Sequence, residues 1–458
     1  MDTVKINERD NVCVDLATGH KIALRAIPCG TPVIKYGFPI GSATCDIEPG
    51  ERVHTENMKT GLGVILEYEY APKYEQAEPM EPFFIDAYVR ENSDIGIRND
   101  IWIVPTVGCV NSIAKQLADE TGALCFAHPY GCSQLGDDMR ITQLILRGLI
   151  KHPNAGGVLV LGLGCENNNI AEMQAVLGSW DEHRVRFLNA QDCEDELEEG
   201  RCIIGQLQKI AAGDKRQRVP ASKLKIGLKC GGSDGFSGIT ANPVVGLATD
   251  ALCAMGASAV LTEVPEMFGA EQVLFERCVS KEVFDKGVKL INNFKEYFRS
   301  HGQPVSENPS PGNKEGGITT LEEKSLGCVQ KGGSAPVVDV LDYGETVQKS
   351  GLHLLNGPGN DIVSVTNLAA AGCHMVLFTT GRGTPLGGAV PTLKIGTNDA
   401  ISAKKPHWID FNAFGFENRP QIASALLDLI GRVASGEQTN NEKHGCREIA
   451  IFKDGVTL

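Results

Sequence analysis

The feature that most constrains this chain is a series of apolar runs, each ending in glycine or polar residues. Six runs share this form: "IWIVPTVG" (101–108), "ALCFAHPYG" (123–131), "GGVLVLGLG" (156–164), "KLKIGLKCGG" (223–232), "ASAVLTEVPE" (257–266) and "CHMVLFTTGRG" (373–383). Continuous apolar runs that alternate with helix-like segments indicate strands buried on both faces, as in parallel sheets. The sequence therefore predicts an α/β fold built on a parallel sheet.

The chain divides into three parts by pattern. Residues 1–66 contain short strand-like stretches, such as "VIKYGFPIGSA" and "GERVHTENM", between glycine and proline punctuation. Residues 67–83 are rich in proline and glutamate and have no clear period, which indicates an extended linker. We therefore predict a small β domain, a linker and an α/β region over residues 84–458.

Charge and composition exclude several classes of protein. The 458 residues carry a formal net charge of −14, which argues against nucleic acid as a partner. No apolar run reaches the roughly 18–20 residues that a membrane span needs. The charged N-terminus does not resemble a signal peptide, so the fifteen cysteines are expected to be reduced thiols in the cytoplasm.

Polar and ligand-forming residues follow the predicted strands. In a parallel sheet, ligands bind beyond the carboxyl ends of the strands. The residues in that position are Cys109, Cys132, Cys165, Cys230, Glu263, Glu266 and Arg382. If all the strands belong to one sheet, these side chains gather at one rim.

The stretch "HPYGCSQLGDD" (128–138) brings together His128, Cys132, Asp137 and Asp138. Histidine, thiolate and carboxylate are a ligand set for a divalent metal such as Fe(II) or Zn(II). The alternative is that the two aspartates begin a helix, stabilised by its dipole, and that His128 packs before a turn. The absence of any C-x-x-C spacing argues against a structural zinc site.

The stretch "KCGGSDGFSGITANP" (229–243) is poor in large apolar residues. Bare amides at a helix start can bind an anion, while Cys230 can bind a metal and Asp234 can accept a proton. The alternative makes Ser233 or Asp234 a helix cap among turn-forming glycines. The "GLGCEN" turn has Asn167 in place of the third glycine of a dinucleotide fingerprint, so no nucleotide cofactor is expected.

Long motifs in the chain resemble the altronate/galactarate dehydratase family. They include "PTVGCVN", "YGCSQLGDD", "CGGSDGFSGITANP", "VLTEVPEMFGAEQ", "NPSPGNKEGGITTLEEKSLGC" and "GCHMVLFTTGRGTP". The resemblance implies an N-terminal SAF-type β-clip, here shortened, and a large Rossmann-like catalytic region with a dimerising part. It also implies an iron-dependent hydro-lyase of hexuronate catabolism that converts D-altronate to 2-dehydro-3-deoxy-D-gluconate and water, and a homodimer.

Position and chemistry give each candidate residue an expected role. The expected metal ligands are Cys132, Cys165 and Cys230, with Cys109, Cys328, Asp137, Asp138 and Glu263 as alternatives. The expected catalytic residues are His128, Asp234 and Glu266. The expected substrate-binding residues are Lys229, Ser233, Arg382, Asn167, His54 and Lys35. A mononuclear Fe(II) ion and an iron–sulfur cluster both fit thiolate ligands.

Two other functions remain open at the level of sequence. One is a lyase for another sugar acid, such as galactarate, or for a sulfonated hydroxy acid. The other is a protein that binds a sugar acid or iron without catalysis, because a glycine-rich rim suits binding as well as turnover.

Overall fold

The computed structural model describes residues 2–62, 67–455 and 457. Within residues 2–62, short strands form two antiparallel sheets, with the orders β1-β2-β3-β6 and β4-β5-β7. These strands are β1 (Thr3–Val4), β2 (Val12–Asp15), β3 (Lys21–Ala23), β4 (Pro32–Lys35), β5 (Phe38–Ala43), β6 (Arg52–Val53) and β7 (Met58–Lys59). Residues 1 and 63–66 of the predicted β domain lie outside the described residues.

Residues 67–83 contain no helix or strand and run along the C-terminal region of the chain. The Lys73 amide donates to the Glu276 carbonyl, and the Met80 amide donates to the Ala254 carbonyl. Most side chains between these two anchors are exposed, as expected for a proline-rich extended segment.

The next region is built around a four-stranded parallel sheet with the order β11-β10-β12-β13. Its strands are β10 (Asp100–Pro105), β11 (Leu124–Cys125), β12 (Ala155–Gly162) and β13 (Val185–Asn189). A small antiparallel sheet beside it contains β8 (Phe84–Val89), β9 (Ile95–Gly96) and β14 (Gln217–Pro220). Its helices are α1 (Asn111–Thr121), α2 (Gly136–Ile150), α3 (Ile170–Leu177) and α4 (Glu196–Ala212).

The C-terminal region is built around a seven-stranded sheet in which every neighbouring pair is parallel. In spatial order its strands are β17, β18, β16, β15, β19, β20 and β21. Their bounds are β15 (Lys225–Cys230), β16 (Ser258–Leu261), β17 (Val337–Leu341), β18 (Gly351–Leu355), β19 (Met375–Thr380), β20 (Thr392–Gly396) and β21 (Phe411–Asn412). The predicted α/β fold with a parallel sheet is therefore confirmed.

The helices of this region are α5 (Ala241–Ala254), α6 (Glu271–Phe275), α7 (Lys281–Ser300), α8 (Pro311–Glu315), α9 (Leu321–Cys328), α10 (Asp361–Ala370), α11 (Asp399–Lys404), α12 (Arg419–Ala434) and α13 (Asn440–Lys443). Helix α5 follows β15 and α10 follows β18, and both pack on the sheet through mostly buried side chains. Among the described helices, none has both the length and the apolar content needed to cross a membrane.

The expectation that all the predicted strands share one sheet is wrong. β10, β11 and β12 belong to the four-stranded sheet, whereas β15, β16 and β19 belong to the seven-stranded sheet. Helices α2 and α10 pack between them, and Gly148 lies so close to Ala370 that a Cβ atom there would be 2.3 Å from the Ala370 carbonyl oxygen. Both sheets are parallel and covered by helices, so their strands have the same apolar pattern.

The N-terminal sheets dock on helix α9 through a buried ion-pair cluster. The ammonium groups of Lys21 and Lys35 each lie 2.8 Å from a carboxylate oxygen of Glu323, and all three side chains are at most 2% exposed. The Thr320 hydroxyl, at the start of α9, donates to the Ile40 carbonyl at 2.5 Å. These contacts fix the position of α9, which also carries Lys324 and Cys328 into the candidate site.

Candidate functional site

The candidate site begins at the carboxyl end of β15, where Cys230 is the last residue. Its thiol is buried and lies 3.3 Å from the sulfur of Cys328 and 3.1 Å from Oε2 of Glu266. The same carboxylate oxygen lies 3.1 Å from the Cys328 sulfur. Three elements therefore meet at this point: β15, the 3₁₀ turn Val264–Glu266 after β16, and the end of α9.

Cys230, Glu266 and Cys328 have the geometry of a single-ion site. Their ligand atoms all lie within 4.8 Å of one another, and this is the only such group of three among the residues that the structure describes. Two thiolates and a carboxylate are a ligand set for a borderline divalent ion such as Fe(II) or Zn(II). Cys230, an expected ligand, therefore lies beside Cys328, an alternative ligand, and Glu266, an expected catalytic residue. These roles stay predictions.

Two lysines place positive charge beside the thiol and the carboxylate of this group. Nζ of Lys331 lies 2.9 Å from the Cys230 sulfur, and Nζ of Lys324 lies 2.8 Å from Oε1 of Glu266. A hydrogen bond from Cys328, together with the charge of Lys331, lowers the pKa of Cys230 to about 6. Burial alone would raise the pKa of Glu266, but the neighbouring lysines, Lys324 first, hold it below its usual range.

A second ion-paired group lies on the other side of Cys230. Lys229 is fully buried and donates to Glu263 and, at 2.7 Å, to Oδ1 of Asp361. Glu263 also accepts the Cys230 amide at 3.2 Å, and it has a φ of 71°, which non-glycine residues rarely adopt. Burial raises the pKa of Glu263 well above its usual range. The expected role of Lys229 in substrate binding is therefore wrong, because protein carboxylates occupy its ammonium group.

A cleft of about 540 Å³ opens onto both groups. Its lining residues with polar side chains are Cys230, Glu266, Asn308, Ser310, Asn313, Lys324, Asn360, Asp361 and Thr384. Gly231 and Gly232 form one wall, where a Cβ atom on Gly231 would lie 2.7 Å from a carboxylate oxygen of Asp361. The absence of a side chain at this position lets the carboxylate approach the strand end.

Asp234 has a structural role in the glycine-rich loop after β15. Its carboxylate accepts hydrogen bonds from Ser237, Thr397 and Asn398, and burial raises its pKa above its usual value. The Ser233 carbonyl accepts from the Asn313 side chain, which joins this loop to the cleft wall. Asp234 is therefore a turn-forming residue, and its expected catalytic role is wrong because its oxygens already have partners.

The structure places His128 in a structural role as well. Its Nε2 lies 2.8 Å from the Pro105 carbonyl, its Nδ1 accepts the Tyr130 amide at 3.2 Å, and the side chain is buried. Burial lowers its pKa. Because both ring nitrogens bind backbone groups beside the four-stranded sheet, the expected catalytic role of His128 is wrong.

Several other expected site residues lie outside the cleft. Lys35 pairs with Glu323, and His54 contacts the Lys314 carbonyl through Nε2 at 2.9 Å. Arg382 is half-exposed and contacts the Gly312 carbonyl at 2.9 Å and Glu315 at 3.1 Å. The side chains of Lys35, His54 and Arg382, which were expected to bind substrate, therefore contact other protein groups instead.

The residues expected from "HPYGCSQLGDD" and its neighbours belong to the four-stranded sheet. Asp137 is exposed in the first turn of α2, and Asp138 accepts the amides of Asp454 and Gly455. Asn167 accepts the Ser133 amide. The remaining thiols there, which are exposed and do not join Cys230, belong to Cys109, Cys132 and Cys165. Their separation follows from the division into two sheets.

Sequence reasoning missed Lys324, Lys331 and Asp361. The two lysines lie in "TTLEEKSLGCVQKGG", where a charged pattern suggests an exposed helix, yet every residue of α9 is buried. Asp361 lies at the start of α10, after the glycines of "NGPGND". A glycine-rich turn before an acidic helix start was the available signal for Asp361.

Three family models of known proteins match successive parts of the chain. The family model "D-galactarate/Altronate dehydratase, C-terminal" matches residues 221–457. The model "D-galactarate dehydratase/Altronate hydrolase, second domain" matches residues 87–212, and "Altronate/galactarate dehydratase SAF domain" matches residues 2–61. The three matches correspond to the seven-stranded sheet, the four-stranded sheet and the N-terminal sheets.

Individual relatives match along nearly the full chain. An altronate dehydratase of Bacillus subtilis is 54% identical over 460 residues, covering 97% of this chain and 93% of the relative. An altronate dehydratase of Escherichia coli is 52% identical over 462 residues, with the same shares covered. A galactarate dehydratase (L-threo-forming) of Escherichia coli is 32% identical over 468 residues, covering 95% and 89%. Since the family models match most of its length and relatives more than 50% identical match 97% of it, this chain belongs to the altronate/galactarate dehydratase family.

Proposed function

We propose that this chain is a hydro-lyase that converts D-altronate to 2-dehydro-3-deoxy-D-gluconate and water in hexuronate catabolism. The observation that carries the proposal is the cleft that opens onto Cys230 and Glu266, whose thiol and carboxylate lie beside Cys328 and two lysines. The high identity to altronate dehydratases over nearly the full chain supports the substrate. All fifteen cysteines are free thiols, which supports a reducing compartment such as the cytoplasm.

The proposed reaction makes three chemical demands. A base takes the proton at C2, which is only weakly acidic beside a carboxylate. Positive charge stabilises the enediolate that forms, and an acid protonates the hydroxyl that leaves C3. A cleft that combines cations, a carboxylate and a metal site can supply all three, because each acts where charge develops.

We infer that Cys230, Glu266 and Cys328 hold a divalent iron ion. The donor atoms are close enough for one ion, and the set combines thiolates with a carboxylate, as Fe(II) accepts. When bound, such an ion acts as a Lewis acid that polarises substrate oxygens. Lys331 and Lys324 offset the negative charge of these ligands, so the group does not require complete neutralisation by the ion.

The polar residues of the cleft wall have complementary roles in the proposal. Lys324 lines the cleft while its ammonium group contacts Asn308, Asn313 and Glu266, so its positive charge adds a field that favours an anionic substrate there. Asp361 is the more accessible carboxylate, since its side chain is 37% exposed. It lines the same cleft as Lys324, which suits proton transfer at C2, and the hydrogen bond from Lys229 keeps it oriented.

The proposal is tested by anaerobic purification, iron analysis and an assay for the 2-keto-3-deoxy acid with D-altronate. Cys328→Ser should lose bound iron and reduce kcat at least about 100-fold, because one ligand is missing. Cys278→Ser is the matched control, since Cys278 is also buried but does not belong to the group formed by Cys230, Glu266 and Cys328. Full activity after iron removal would contradict the metal assignment.

A substrate panel separates the proposal from the alternatives. D-altronate should have the highest kcat/KM, with galactarate and sulfolactate as comparisons that carry a second carboxylate or a sulfonate. Reaction in heavy water should show that the C2–H bond breaks. Tight binding of altronate without product would instead indicate a binding protein.

A further inference from the structure

The four-stranded sheet carries three exposed thiols that the proposed reaction does not use. Cys109 follows β10, Cys132 follows β11 and Cys165 follows β12. These strands are neighbours in the order β11-β10-β12, and all run in the same direction. Adjacent strands lie about 4.8 Å apart, so the three thiols lie on neighbouring loops at one edge of the sheet.

Backbone contacts tie these loops together next to each cysteine. The Gly108 amide donates to the Tyr130 carbonyl at 2.9 Å, and the Asn168 amide donates to the Gly131 carbonyl at 2.9 Å. Gly131 has a φ of 100°, and a Cβ atom there would lie 2.0 Å from the Thr106 carbonyl oxygen. Only glycine permits this approach, which holds the Cys132 loop against the Cys109 loop.

Glu166 fixes the third loop. Its buried carboxylate accepts the Leu163 amide at 3.0 Å, the Gly164 amide at 2.6 Å and the Thr106 hydroxyl at 2.7 Å. The Cys165 loop is therefore attached to the loop that carries Cys109. The side chains of the three cysteines remain exposed while their backbones are held, which is the arrangement of a prepared ligand site.

The number of the thiols and their placement on neighbouring loops point to the class of ligand that they bind. Among the described residues, the sulfurs of these three cysteines do not all lie within 4.8 Å of one another, unlike the ligand atoms of Cys230, Glu266 and Cys328. They therefore do not form a compact site for one ion. A tetranuclear iron–sulfur cluster has its thiolates on different iron atoms and so spans a wider set. We propose that Cys109, Cys132 and Cys165 bind a [4Fe–4S] cluster whose fourth iron has no protein thiolate.

Loading such a cluster is a ligand exchange. A preassembled [4Fe–4S] cluster carrying four small-molecule thiolates loses three of them to the protein. Three iron–sulfur bonds to the small thiolates break and three bonds to the cysteines form. The three cysteine protons pass to the departing thiolates, and the electron count of the cluster does not change. The fourth iron keeps an exchangeable ligand.

The test uses the full chain and a preassembled [4Fe–4S] cluster with 2-mercaptoethanol ligands, added without oxygen. The wild type should retain about four iron and four sulfide per chain after desalting, with the visible absorbance of a cluster. Cys109→Ser, Cys132→Ser and Cys165→Ser should each lose at least half of the sulfide. Cys202→Ser, an exposed cysteine on α4, and Cys328→Ser should retain it.

Circular dichroism and thermal unfolding of each variant establish that it remains folded, as expected for exposed positions. Failure of the folded wild type to bind sulfide, or retention of the cluster by the triple serine variant, would overturn the inference. Loss of the cluster only in Cys328→Ser would also overturn it, since the cluster would then lie at the other site. Altronate turnover by a wild type without sulfide would leave the proposed function intact.

Discussion

Neighbouring charged residues determine which buried cysteines have a thiol pKa low enough for metal binding. Cys230 and Cys328 lie beside Lys331 and Glu266, whereas Cys278 and Cys373 are buried among apolar side chains. Burial raises the pKa of Cys278 and Cys373 to about 12, so these two remain neutral thiols. Reactivity in this chain thus follows from neighbouring charge more than from exposure.

At the residue scale we predict that Asp361→Asn reduces kcat at least about 100-fold, because the amide keeps the shape of the side chain but cannot take a proton. KM should change less, since Lys324 remains in the cleft. Steady-state kinetics with D-altronate measure both constants. A kcat within twofold of the wild type would remove Asp361 from proton transfer.

A second residue-scale prediction concerns His128. His128→Ala removes hydrogen bonds to Pro105 and Tyr130 and leaves a cavity, so the free energy of unfolding should fall by about 2–4 kcal/mol. The folded variant should keep kcat within about twofold of the wild type. Urea unfolding and initial rates at low temperature separate the two effects, and a 100-fold loss of kcat would restore a catalytic role for His128.

Helix α9 shows what an element gains from distant partners. Its sequence "LEEKSLGC" is polar enough to predict an exposed helix, yet all eight residues are buried. Glu323 pairs with Lys21 and Lys35, which precede it by 302 and 288 residues. Local periodicity contains no information about such distant pairs, so the buried surroundings of Cys328 could not be predicted from the sequence. Cys230 could be predicted as a site residue, because it follows an apolar strand.

At the element scale we predict that Glu323→Gln lowers the free energy of unfolding by about 3–5 kcal/mol, because two buried lysines lose their partner. Glu322→Gln is the matched control on the same helix, since Glu322 accepts from the Thr60 hydroxyl and the Gly61 amide and forms no ion pair with a described residue. Denaturant unfolding at pH 7 measures the difference. Equal effects of the two substitutions would show that Glu323 has no special role.

A comparison of the wild type with Glu323→Gln also gives a prediction about the pH dependence of stability. Burial alone would raise the pKa of Glu323, but Lys21 and Lys35 hold it well below its ordinary value of 4.5. A carboxyl with a lowered folded pKa stabilises the fold above its unfolded pKa and loses this contribution as pH falls. The stability difference between wild type and Glu323→Gln should therefore be constant near neutral pH and shrink below about pH 4.5. A difference that grows in acid would contradict the assignment.

The whole molecule is two parallel sheets with an N-terminal β domain docked beside the cleft. The six apolar runs predicted the fold class, and each corresponds to a strand. The division into two sheets could not be read from them, because strand order is set by packing, such as that of α2 on α10, which leaves no pattern in the strands themselves. The homodimer that the family resemblance implies stays a prediction.

At this scale we predict that cutting the exposed linker leaves the molecule intact. A protease site inserted after Gln76 should yield two fragments that elute together and retain activity, because the Lys21, Lys35 and Glu323 cluster and the Thr320–Ile40 contact hold the N-terminal domain in place. Size-exclusion chromatography after cleavage measures this. Separation of the fragments at micromolar concentration would contradict it.

The central claim is that altronate loses water in the cleft that opens onto the group of Cys230, Glu266 and Cys328. Its most direct test is the initial rate of 2-dehydro-3-deoxy-D-gluconate formation from D-altronate by anaerobically iron-loaded wild type and Glu266→Gln. We predict turnover by the wild type, and for Glu266→Gln a loss of iron with a rate at least about 100-fold lower. A variant that loses iron but keeps the wild-type rate, or a loaded wild type that forms no product, would contradict the account.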